Sequence, residues 1–183
     1  MRLLGTLAER LRGLLGADER TGRVHAERDA DVVVFVVGMR INALWKVHRW
    51  LPVFLVAPRM VRELRRDPGS GLLGSWTFVS PLRTVGFVQY WDSFESLRAY
   101  ARDSDHLHLD AWADYNADAE DGAVGIWHET YRVGADEYET VYNHTPPRGL
   151  GAAAGSDLVS ATGQRESAAG RLDGTEDPAP VEP

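Results

Sequence analysis

The stretch "DVVVFVVGMRIN", residues 31–42, decides the fold. It is β-branched and almost continuously apolar, which favours a strand. A strand with one wet face alternates apolar and polar residues. This one does not, so both of its faces are expected to be covered. Helices on one side of a sheet cover only one face, and the other face then needs a partner.

The segments on either side supply the rest of the sheet. Residues 44–66 place Leu44, Val47, Leu51, Phe54, Leu55, Val61 and Leu64 at near-helical spacing. Pro52 and Pro58 interrupt that pattern, because proline lacks an N–H and crowds the preceding turn. A break is expected near residues 50–52, with the longer helix starting at Pro52, bending at Pro58 and stopping at "RRDPGSG". "LGSWTFVSPLRTVGFVQYW", residues 73–91, reads as a hairpin turning at Ser80, Pro81 and Leu82. Val85, Phe87, Gln89 and Trp91 alternate along its second arm. Asp92 and Glu95 have capping-box spacing for a second helix that weakens at "RDSD". "AVGIWHETYRV", residues 123–133, is a fourth strand, and "YETVYNH", residues 138–144, a short fifth.

The order is β-α-β-β-α-β, an α+β, ferredoxin-like arrangement. The doubly covered strand points to a homodimer whose sheets pack face to face. Three segments follow: an amphipathic helix over 1–21, the domain over 22–155, and a mostly disordered acidic tail over 156–183. The tail is expected to lack structure because its Gly, Ala, Ser, Asp, Glu and Pro bury little apolar surface.

With 183 residues and a net charge of −7, the chain is long enough for one core and too acidic for a general nucleic-acid binder. The absence of cysteine excludes disulfides and thiolate chemistry. No apolar run approaches the ~20 residues of a membrane span, and a cytoplasmic protein is expected. The first helix, with Leu3, Leu7, Leu11, Leu14 and Leu15 opposite arginines, reads as docking on its own domain or a partner. Membrane-surface contact is its lesser reading.

"VVVFVVGMRINALWKVHRWLPVF", "FVQYWDSFESLRAYARDSDHLHLDAW", "VGIWHETYRV" and "YNHTPPRGLGAAAG" together resemble a bacterial family grouped with a fungal monooxygenase of fumagillin biosynthesis. The likeness covers about residues 22–155, with an outer limit at 171. It implies the dimeric α+β barrel clan. That clan includes cofactor-independent antibiotic-biosynthesis monooxygenases, haem proteins such as aldoxime dehydratases, and non-enzymatic relatives.

"DSDHLHLDAWADYN", residues 103–116, gathers two histidines, acids, a Trp, a Tyr and an Asn. On a helix, positions i and i+2 diverge while i and i+4 share a side. His106 and His108 therefore separate, and His108, Trp112 and Asn116 form one stripe beside Tyr115. No histidine spacing matches a metal motif, so no metal is expected. An oxygenase without a cofactor needs a base, an oxyanion donor and an aromatic-lined cavity for a small aromatic, enolic or polyketide-like substrate. His108 and His128 are the candidate bases, since imidazole exchanges protons near neutral pH. Arg40 and Asn116 are the candidate anion donors. Trp45, Trp91, Trp112, Tyr115 and His48 are the candidate lining. Two alternatives stay open: a non-catalytic small-molecule binder on the same fold, and a haem-dependent lyase of the aldoxime dehydratase type with His48, His108 or His128 as axial ligand.

Overall fold

The computed structural model describes residues 22–80, 83–103, 115–116 and 122–175. In chain order its elements are β1 (Arg23–Glu27), β2 (Val32–Ile41), α1 (Val47–Arg66), β3 (Leu72–Ser80), β4 (Thr84–Trp91), α2 (Phe94–Arg102), β5 (Val124–Val133), β6 (Tyr142–Asn143), β7 (Asp157–Ser160) and α3 (Ala168–Leu172), with 3-10 turns at Gly149–Ala152 and Gly163–Glu166. Four strands form one antiparallel sheet in the order β3-β4-β2-β5, the ferredoxin-like order.

Strand β2 is central, as its unbroken apolar run requires. Its register sets both faces. Val33 lies opposite Trp91, Phe35 opposite Gln89 and Val37 opposite Phe87, all on the helix side. Leu64 of α1, with Leu97 and Tyr100 of α2, closes over Val33 and Trp91 to form the core. Helix α1 differs from the sequence expectation. It starts at Val47 and runs unbroken through Pro52 and Pro58. Both prolines are exposed, so the carbonyls that lose their N–H partners are free to turn to water. Helix α2 is capped by Ser93, whose hydroxyl accepts from the Ser96 amide at 3.1 Å, rather than by Asp92.

The opposite face of the sheet corrects two further expectations. A second antiparallel sheet, β6-β1-β7, packs across one end of it. There Val32 meets Ala26, Leu150 and Ala153, with Tyr90 and Val133 alongside. The chain therefore covers half of that face itself. The tail, expected to be disordered from 156 onward, instead supplies β7 and α3. Its short polar segment gains order from its neighbours: β7 pairs with four consecutive residues of β1, and Arg171 forms a partly buried ion pair with Glu139. Neither partner is close in sequence, so composition alone misses them.

The other half of the face is aromatic. Gly38 and Gly86 sit opposite each other. A Cβ at Gly38 would meet the Trp127 indole at 2.9 Å, and one at Gly86 would meet the Phe78 ring at 2.5 Å. The two glycines thus form a trough in which Phe78 and Trp127 lie 6.2 Å apart between centroids.

The second sheet contains one buried titratable group. His25 on β1 sits 3.5 Å from Glu27, which Arg165 engages at 2.8 Å. Burial pushes the His25 imidazole below the usual histidine value of 6.5, against the opposing pull of Glu27. The folded state therefore favours neutral His25, and the unfolded chain takes up the proton first as pH falls. That contribution to stability is complete above pH 6.5 and is lost progressively below it. Chemical denaturation of the wild type should show lower stability from pH 7 toward about pH 5. His25→Phe should flatten that dependence, and an unchanged slope would show that His25 does not set it.

Candidate functional site

The helix-facing side of the sheet collects polar side chains in register. Ser75 lies opposite Gln89, Gln89 opposite Phe35, and Phe35 opposite Thr130. In the next row Thr77, Phe87, Val37 and His128 follow in the same way. The Phe35 and His128 rings are 5.5 Å apart. These two rows form an apolar shelf of Phe35, Val37 and Phe87 with an imidazole at one side and an amide at the other. Two strand spacings and two residues of rise separate the Gln89 and His128 backbones by about 12 Å.

Gln89 is the residue that the sequence reading did not single out. It is 6% exposed, and its Oε1 accepts a 3.1 Å hydrogen bond from the Trp91 indole. That bond fixes the amide orientation. Among the described residues its Nε2 has no hydrogen-bond partner, so two donors remain available beside the shelf. A signal was present: within the alternating Val85, Phe87, Gln89, Trp91 series, Gln89 is a polar residue at a core-facing position.

The structure disperses most of the other candidates. Arg40 is exposed and lies opposite Thr84 and Gly125, on the sheet face away from His128. Alternation along β2 puts it there, so the two cannot act on one substrate within a protomer. Trp91 is 0% exposed and packs its ring 5.8 Å from Tyr100, so it is core rather than cavity lining. Trp45 is 78% exposed just before α1, and His48 is exposed on that helix. Neither reaches the shelf, and His48 is not in an apolar cavity suited to an axial haem ligand. Tyr115 is half-buried and donates to the Val124 carbonyl at 3.4 Å, while Asn116 is exposed. Val124 and His128 share a face of β5 about 13 Å apart along the strand. His108 and Trp112 lie outside the described residues. His128 is exposed on the edge strand, and among the described residues no cluster of His, Cys, Asp and Glu is arranged to hold a metal.

A family model described as monooxygenase af470-like matches residues 32–150, well over half of the chain. No curated protein matches it significantly. Among solved structures, an aldoxime dehydratase (OxdRE) superposes with a TM-score of 0.57 at 18% identity, covering 83% of this chain and 43% of that one. A second aldoxime dehydratase gives 0.53 at 15% identity, over 79% and 42%. Both likenesses show a shared fold. A cofactor-independent oxygenase from Streptomyces nogalater, SnoaB, superposes with a TM-score of 0.40 at 15% identity, over 56% of this chain and 92% of that one.

The Gln89–Trp91 bond has a measurable consequence for stability. Gln89→Leu leaves the buried indole N–H without an acceptor and should lower the unfolding free energy by roughly 1–3 kcal/mol in urea titrations. The loss should shrink in a Trp91→Phe background, where no donor is orphaned.

Proposed function

The chain belongs to the monooxygenase af470-like family, and we propose that it is an oxygenase for a small aromatic or enolic metabolite, acting without metal or flavin. The observation that carries this reading is the shelf on the helix-facing side of the sheet, with His128 against Phe35 and the fixed amide of Gln89 nearby. A substrate with an acidic C–H beside a carbonyl lies across Phe35 and Val37. His128 takes the proton, leaving a delocalised anion whose oxygen receives the Gln89 Nε2–H donors. The anion, not a cofactor, gives the electrons to O₂. Carbon–oxygen bond formation yields a peroxide, and loss of water leaves a new carbonyl. A CH₂ and O₂ become C=O and H₂O, so one oxygen atom enters the substrate and the other leaves as water.

Oxygen uptake with anthrone-like, enolic and quinol substrates tests this. His128→Ala should lower kcat by about a hundredfold or more. Gln89→Glu keeps an acceptor for the Trp91 indole but presents no amide donor, and should lower kcat by about a hundredfold with the fold retained. Loss of uptake only in His108→Ala would move the base to that residue. A ligand that raises the melting temperature without any oxygen uptake would make the protein a binder on this fold.

The active unit is proposed to be a homodimer. Trp76, Phe78, Trp127 and Tyr131 form the half of the second sheet face that the described residues leave uncovered, and Tyr131 is 51% exposed. A partner's sheet would bury those rings. Trp127→Glu should convert a dimer to a monomer in sedimentation equilibrium. A wild-type monomer at micromolar concentration would exclude this assembly.

A further inference from the structure

Helix α1 carries a surface that the shelf does not use. Of the exposed large apolar side chains, Leu44, Trp45, Val47, Leu51, Phe54 and Leu55 fall within twelve residues, at and before its N-terminal half. They do not form part of either core. The C-terminal half of the helix is basic. Residues 46–66 hold Lys46, Arg49, Arg59, Arg62, Arg65 and Arg66 against one acid, Glu63, in a chain whose net charge is −7.

The geometry puts both halves on one side. Leu51, Leu55 and Arg59 are spaced by four, and Arg62 and Arg66 continue the same outward stripe. All five are exposed. A shallow hollow of about 500 Å³ lies among Arg59, Arg62 and Arg66, with Glu63 and Asp67 also on its lining. Over the ~30 Å of a twenty-residue helix, an outward line thus passes from leucines to arginines around a hollow, with exposed Trp45 just before the first turn. We infer that this side of α1 docks on an anionic lipid surface, the helix lying in the plane of the membrane. Leu51, Leu55 and Trp45 enter the acyl boundary, and Arg59, Arg62 and Arg66 take phosphate headgroups. The docking surface takes no part in the reaction proposed above. The contact is confined to the membrane surface, since no helix among the described residues is long and apolar enough to cross a membrane.

The exposed apolar half beside the arginines, with Trp45 78% exposed, selects lipid over an acidic protein. Projecting Trp and Leu side chains suit insertion into a deformable phase. Flotation of the full chain with phosphatidylcholine vesicles, with and without phosphatidylglycerol, tests the inference. Binding is expected only to the anionic vesicles and should weaken at high salt. Arg59→Glu with Arg62→Glu should weaken it by roughly tenfold or more. Trp45→Ser with Leu55→Ser should weaken it by a similar factor, roughly tenfold. All four positions are exposed, and circular dichroism checks that each variant folds. No binding, equal binding to both vesicle types, or unchanged binding in either variant would overturn the assignment. Self-association abolished by the arginine reversals, without lipid binding, would overturn it in favour of a second copy.

Discussion

Strand β2 is hydrogen-bonded to β4 on one side and to β5 on the other, and it is apolar on both faces. This double constraint organises the protein. A central strand permits no register slip without turning its whole side-chain set over. Once Val33 is committed to the core with Leu64 and Trp91, every position on β4 and β5 is assigned a face. His128 reaches the helix side because it lies opposite Val37, and Glu129 is sent the other way because it lies opposite Val36.

The two faces then take different roles. The helix side holds the core at one end and the shelf of Phe35, Val37, Phe87, Gln89 and His128 beyond it. The other side is divided. One end is sealed by β1, β6, β7 and the turn at Gly149–Ala152, and the opposite end carries the aromatic trough over Gly38 and Gly86. The C-terminal segment therefore sets how much of that face the described residues leave exposed. It is held there by pairing with β1, by the Ala154 amide on the Leu73 carbonyl at 2.8 Å, and by the Arg171–Glu139 ion pair.

Helix α1 shows how a surface element escapes local rules. Two prolines within it would end a buried helix, yet exposure lets water take the freed carbonyls. Its outer side is thereby free to carry Trp45 and Leu51 near one end and arginines near the other, a division of chemistry along one helix that the core does not demand.

Local pattern was sufficient for much of this. The almost continuous apolar run of 31–42 identified a strand covered on both faces, alternation over 85–91 identified the second arm of a hairpin, and "RRDPGSG" ended the first helix where the structure ends it. Those signals are periods and stop residues, which act within one segment. The strands β1 and β7 were not legible, because each is short and depends on a partner more than a hundred residues away. The site was legible as residue types but not as a set. Arg40 and His128 both read as candidates, and only register showed them on opposite faces. Trp91 and Trp45 both read as lining, and only packing made one core and the other surface. Gln89 was visible as a polar residue in an apolar alternation, but its bond to Trp91 needed the fold. Sequence period determines which elements form. Which side chains meet is decided by strand order and register, because those join positions far apart in the chain.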